Sequence, residues 1–233
     1  SSSTMSVFPE LPSKEVNVLS VNLKNDGTVD GKIRKTYMDH KAYIFRNAYN
    51  DVNREDYLDK IENKFQGMEI SDYKVSNDKT TGKPITEIFE YKLENHADVV
   101  GDKIYFSPLF QFAMVENPFK MDQRSYPIDY AFPWSEKYNL VIAIPEGYKV
   151  ISRPEDARII LKDQLGSFSF QIAQVLNTLQ VSVEFTMNKA VIAAHDYGII
   201  KELYKNVVEK ETEKVVLSKI SEDGHTESTV GSR

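Results

Sequence analysis

Apolar and polar residues alternate with a period of two along most of this chain, and turn-forming residues interrupt the alternation at short intervals. This feature constrains the fold more than any other. A strand that alternates buries one face only, so it has to join a sheet that covers that face. Thirteen Tyr and 12 Phe accompany a single Trp, an aromatic bias that suits strands better than helices.

Val16, Val18, Val21 and Leu23 give a first strand whose phase slips near Leu19, and Val29, Ile33 and Tyr37 alternate on a return strand. Asn25-Asp26-Gly27 between them supplies the positive-φ positions of a tight turn, so the two form a hairpin. Helical spacing follows: Ala42, Phe45, Arg46 and Tyr49 share one face. Asn53 can cap a second helix with a Tyr57, Leu58, Ile61, Phe65 stripe that stops at Gly67. Strands are expected again at 68–75, 85–93 and 99–106. The continuous apolar run Leu109–Val115, bounded by prolines, reads as a strand buried on both faces.

Asn117 to Pro127 is the expected boundary between lobes. Beyond it, strands are predicted at 126–132, 138–144, 148–151, 158–161, 168–175 and 178–187, then a helix capped by Asp196 with Ile200, Leu203, Tyr204, Val207 and Val208 on one face. Val215–Leu217 fits either a closing strand or a helix extension. The expected fold class is α+β with β dominant: two lobes of mainly antiparallel, sandwich-like sheet with a few helices. Residues 1–120 form the first lobe (hairpin, two helices, strands). Residues 121–220 form an antiparallel lobe with a terminal helix, and 221–233 a disordered tail.

Several chemistries find no support in the residues. A net charge of −6 without a Lys/Arg stripe disfavours nucleic acid. The chain has no Cys, which removes disulfides, thiolate zinc sites and a cysteine nucleophile. No apolar run reaches the ~20 residues of a membrane helix. Asn25–Gly31 lacks the distal Glu of a calcium loop and reads as a turn. His40, His96, His195 and His225 form no ligand-spaced pair, and Asp39-His40 and His195-Asp196 read as helix-start residues. No Gly-x-Ser-x-Gly elbow or phosphate loop occurs. Glu87 and Glu90, flanking apolar strand residues, are expected to face solvent. No catalytic, cofactor-binding or metal-ligating residue is assigned and no cofactor is expected. The candidate ligand contacts are Trp134, Tyr130 and Tyr138, an aromatic cluster near the end of a predicted strand.

From Asn117 a series of short motifs appears in order: Asn117-Pro118-Phe119-Lys120, Arg124, Tyr126-Pro127-Ile128-Asp129-Tyr130, Ile144-Pro145-Glu146-Gly147-Tyr148, Tyr197, Leu203-Tyr204 and the run Glu213–Lys219. The series resembles the C-terminal β-rich region, a domain of unknown function, of bacterial transglutaminase-like multidomain envelope proteins. Asp26-Gly27, Gly31, Ala42 and Arg46 resemble the stretch after the catalytic core in those proteins, so the similarity runs from about Val16 to Lys219. Those proteins use a Cys, a His and an Asp in their core domain, and none carries over here. The resemblance implies a core lying upstream in a parent protein of the periplasm or cell envelope. Ser1–Ser6 does not read as a signal peptide, and the chain, which does not start with Met, reads as an excised or processed piece of something longer.

The function these features imply is a non-catalytic accessory or scaffolding region that positions such a core or binds its protein or peptide substrate. It would not be an enzyme by itself, and no nucleic acid or membrane insertion is expected. A cell-surface glycan-binding module using exposed aromatics is the alternative. A hydrolase built from convergent Ser/His/Asp or carboxylate pairs is a third reading, which requires a His within reach of a hydroxyl in a cleft.

Overall fold

Strand β1, Ser13–Leu23, places every second side chain on one face, and that face is buried from end to end. Its inward series is Ser13, Glu15, Asn17, Leu19, Val21 and Leu23, so the phase never slips near Leu19. Val16 and Val18 point to the opposite face, and Val18 is exposed. The computed structural model that shows this describes Pro9 and residues 11–65 and 67–220; the expected tail at 221–233 lies outside the described residues.

The hairpin forms as expected with β2, Val29–Tyr37. Gly27 turns it at φ +84°, where a Cβ would stand 2.5 Å from the Ala97 carbonyl oxygen. Two helices follow, α1 (Asp39–Tyr49) and α2 (Arg54–Lys64). Asn53 Oδ1 accepts the Asp56 N–H at 2.8 Å and caps α2, as its position predicts. Arg46 on α1 donates to the carbonyls of Asp78, Asn77, Thr80 and Lys83, which ties down the loop between β3 (Met68–Ser76) and β4 (Ile85–Leu93).

Short strands β5 (Ala97–Val100) and β6 (Lys103–Phe106) come next, then β7 (Ile128–Asp129) and the long β8 (Trp134–Ala143). The chain continues through β9 (Tyr148–Ser152), β10 (Ala157–Ile160), β11 (Gly166–Val175), β12 (Thr178–Met187) and β13 (Val191–Ile192). Helix α3, Tyr197–Thr212, and β14, Val215–Lys219, close it. The last segment is thus a strand.

Four expected elements differ. The strand expected at 99–106 is a hairpin instead, β5 and β6 paired antiparallel across a turn at Gly101 and Asp102. Leu109–Val115 is no strand: Phe110–Phe112 is a single 3-10 turn, with Leu109 and Phe110 buried and Val115 exposed. A short apolar run marks burial but not conformation. The strand expected at 126–132 shrinks to β7, which pairs only with β13. Asp196 makes no side-chain cap on α3, because a 3-10 turn, Ala194–Asp196, leads into that helix.

Eight strands form one sheet in the order β10-β11-β12-β8-β1-β2-β4-β3, and a second sheet runs β5-β6-β14-β9. The β-dominant α+β class is therefore as the sequence implies. Both of these sheets draw strands from either side of residue 120. In the large sheet the join is β1 against β8, the one parallel pair among the described residues. The inward faces, α3, the 3-10 turn and the small sheet share one core that includes Leu19, Ile33, Phe106, Leu109, Leu140, Phe168 and Val207. The opposite face carries Lys32, Arg34, Glu90, Lys92, Gln171 and Gln180 in solvent, the usual arrangement for a sheet covered on one side.

Gly31 in β2 lets Tyr91 of β4 cross beneath it: a Cβ there would lie 2.4 Å from Ser20 O and 2.9 Å from Tyr91 Oη. Gly31→Ala is expected to cost about 1–3 kcal/mol through overpacking, measured by urea denaturation. The control Gly101→Ala has no atom within 4 Å of the added Cβ, although its φ of +61° adds backbone strain.

Candidate functional site

Register places polar side chains among apolar ones at the middle of the sheet's inner face. One cross-strand row reads Ile85, Tyr37, Glu15, Glu136, Phe185, Phe168, and the next reads Glu87, Lys35, Asn17, Tyr138, Val183, Phe170. Only the third row, with Phe89, Ile33, Leu19, Leu140, Val181 and Ile172, is wholly apolar. Glu15 and Glu136 stand directly opposite each other across the parallel seam.

Two lysines hold this cluster together. Lys41, from the first turn of α1, reaches Glu136 at 2.7 Å and Glu15 at 3.4 Å, and Lys35 reaches Glu15 at 3.4 Å. Burial pulls the Glu15 carboxyl up, but the ammonium groups of Lys35 and Lys41 outweigh it and its pKa is lowered. Burial likewise disfavours the charged form of both lysines, yet the facing carboxylates leave their pKa values raised. All three groups are therefore ionised at neutral pH. Glu87 is 1% exposed and, among the described residues, forms no salt bridge. It accepts hydrogen bonds from Tyr37 Oη at 2.9 Å and Tyr57 Oη at 2.8 Å. Burial and the Glu87 charge push both phenols well above their usual range, which keeps the hydroxyls protonated as donors.

Two cavities flank the Glu15–Glu136 ridge and share both carboxylates. On one side about 580 Å³ is lined by Tyr37, Phe45, Tyr130, Phe132, Trp134 and Tyr204 together with Lys41. On the other side about 440 Å³ opens between α2 and the sheet, lined by Lys35, Tyr57, Phe65, Glu87, Phe112 and Tyr138. Glu211 of α3 is a further buried carboxylate. It accepts the Met114 N–H at 2.7 Å and so fixes a residue of the first cavity's wall. Burial, aided by the Glu136 charge and opposed by the Met114 hydrogen bond, pushes its carboxyl up to about 7.

Of the candidate contacts, Tyr130 and Trp134 share the larger cavity, and Tyr138 lines the other. Trp134 packs edge to face with Phe185 at 5.0 Å and Tyr130 at 6.1 Å, with Lys41 Nζ 5.8 Å from its ring centroid. The three rings line two inward cavities and do not form one open shelf, so stacking on a glycan is not supported. Glu87, expected in solvent, is buried, whereas Glu90 is exposed. The signal was present in the alternation Ile85, Glu87, Phe89, Tyr91, Leu93, where Glu87 occupies the apolar phase. Glu136 carries the same mark in the alternation Trp134, Glu136, Tyr138, Leu140, Ile142, whereas Glu15 does not, because its inward neighbours Ser13 and Asn17 are polar.

His40 stacks on Phe132 at 4.9 Å, and His195 Nε2 meets Asp196 Oδ2 at 3.3 Å in the turn before α3. None of the five cavities found along the sheet is lined by His40, His96 or His195. Among the described residues no group of three or more His, Asp or Glu is arranged to hold a metal ion, and no helix is long and apolar enough to cross a membrane.

Residues 102–217, just under half of the chain, match a family model described as a Domain of Unknown Function with solved-structure structure, DUF3858. The matched segment contains Tyr130, Trp134, Glu136, Tyr138, Tyr204 and Glu211, whereas Glu15, Lys35, Lys41 and Glu87 precede it. Among solved structures, the chain is similar to a "putative protease" from Parabacteroides distasonis ATCC 8503. The identity is 16% and the TM-score 0.36, and the match covers 42% of this chain and 19% of that one. No curated protein matches.

Tyr57→Phe removes one of two donors to the buried Glu87 carboxylate and is expected to destabilise by about 1.5–3 kcal/mol in denaturant titration. Glu211→Gln isolates the other carboxylate. A buried acid whose folded pKa is raised from 4.5 to about 7 destabilises the fold progressively as pH rises through that interval. The variant should match the wild type below pH 4.5 and exceed it by roughly 3–3.5 kcal/mol above pH 7, since a tenfold difference in proton affinity between folded and unfolded chain corresponds to about 1.4 kcal/mol. Thermal or urea melts across that range would show it.

Proposed function

We propose that this chain is a non-catalytic accessory module that holds a protein or peptide segment for a transglutaminase-like core in the same parent protein of the cell envelope. The observation that carries a holding role is the larger seam cavity, about 580 Å³ with six aromatic rings around two carboxylates. That volume suits a side chain or two of an extended polypeptide, and aromatic walls with a few placed polar groups are typical of binding clefts. Absence of Cys argues against thiol chemistry in this chain. The seam carboxylates are committed to lysines and tyrosines, and no imidazole lines the cavities described, which argues against a hydroxyl nucleophile activated there. The link to a transglutaminase-like parent rests on the ordered motifs from Asn117 to Lys219, a stretch that the domain-family match over residues 102–217 overlaps.

Trp134 is the chain's single tryptophan and lines the cavity, so its fluorescence reports occupancy directly. Titration with a pool of unstructured polypeptides is expected to give saturable quenching or a spectral shift. Phe132→Ala should weaken it about ten-fold, the scale of losing one well-packed aromatic contact. Leu176→Ser, at an exposed position remote from the cleft, should leave it unchanged. Turnover of a model amide or ester that Glu136→Gln abolishes would overturn the non-catalytic assignment.

A further inference from the structure

The geometry points to a proton-operated latch on the larger cavity: the Glu211 carboxyl at the end of α3 keeps the wall residue Met114 in place while neutral and draws it out of the wall when ionised. As regulation of that cavity the inference rests on the holding role proposed above, but the latch itself works without a ligand.

Glu211 is buried in the last turn of α3 and ties down both ends of one short segment. Its backbone carbonyl accepts the Ser107 hydroxyl, and its Oε2 accepts the Met114 N–H at 2.7 Å. Between those two ties lies the 3-10 turn Phe110–Phe112. Phe112 lines the smaller cavity and Met114 the larger. Leu109 and Phe110 anchor the turn in the core, whereas Val115 is 70% exposed. The Met114 end is therefore where the segment can open at least cost, because few buried apolar contacts hold it.

The surroundings of Glu211 set a proton on it. Among the described residues no cation lies within ion-pair distance: Lys41 is engaged by Glu136 and Glu15, and Lys210 of α3 by Glu213. From β8 it faces the like charge of Glu136 and the phenol of Tyr138, which burial keeps protonated. The last turn of a helix is also its negative pole, a further disadvantage to a carboxylate. Burial, opposed by the Met114 hydrogen bond and reinforced by Glu136, raises the carboxyl to about 7. Ionisation there puts a second buried negative charge beside Glu136 with no cation to meet it, and moving toward water relieves it. The Met114 amide follows, since a hydrogen bond to a charged acceptor is stronger than one to a neutral acceptor. Its departure opens the wall and wets Trp134.

The test follows Trp134 emission of the whole folded chain, without ligand, between about pH 5.5 and 8.5. The emission is expected to move to longer wavelength with a midpoint near 7. Glu211→Gln keeps an acceptor for the Met114 N–H but no charge, and should abolish the shift. A histidine is the usual source of a titration in this range. His40 stacks on Phe132 of the cavity wall, so His40→Gln is the control that should retain the shift. In the wild type, the amide signal of Met114 in a nitrogen-labelled sample should titrate with the same midpoint, whereas that of the exposed Leu176 should not; if Glu211→Gln does not fold, this measurement decides. Constant emission, a shift that Glu211→Gln retains, or a Met114 amide that does not titrate would overturn the latch. The holding role would still stand, because the polypeptide titration at one fixed pH tests it separately.

Discussion

The parallel pairing of β1 with β8 is the constraint on which the rest of the molecule depends. Four strands from the first 93 residues and four from after residue 133 meet only there within the large sheet. Its register, Glu15 against Glu136 and Leu19 against Leu140, lines up the inward faces of the two halves so that one core runs beneath both. A slip of one residue would turn every inward side chain of a strand to solvent. It would expose Leu140 and Ile142 and destroy the facing carboxylates at the same time.

That seam contains charge where a sheet interior ordinarily holds hydrocarbon. Bringing carboxylates and ammonium groups out of water is costly, and their attraction offsets the cost only when the remaining valences are also met. The structure meets most of them. Lys41 bridges two carboxylates, Lys35 supports one, and two phenol hydroxyls hold Glu87. A buried charged network of this kind contributes little as pure stabilisation, since an apolar replacement of similar shape is often at least as stable. The domain-family match covers one bank of the cleft, with Trp134, Glu136 and Tyr204, and the other bank comes from the preceding hairpin and α1. The cleft therefore exists only when both parts of the chain are present.

Much of the secondary structure was legible in the residues because local rules govern it. The hairpin at Asn25-Asp26-Gly27, the Asn53 cap and the stripe on α3 follow from turn chemistry, capping and period, and each appears where expected. Errors arose where local signal and burial part company. Val16 and Val18 suggested the buried phase of β1, whereas the inward residues at that end are Ser13, Glu15 and Asn17. Leu109–Val115 was apolar enough for a strand but folds as a turn beneath the sheet.

By itself the sequence determined the α+β class, the dominance of strands, and most strand and helix positions. Alternation, caps and glycines act over a few residues, so they can be read in one pass along the chain. Only the tertiary structure decided that β1 lies parallel to β8, that Glu87 faces inward and that Glu15, Glu136 and Lys41 form one cluster. Pairing between strands more than a hundred residues apart is chosen by the summed burial of both faces, and no residue carries that choice alone.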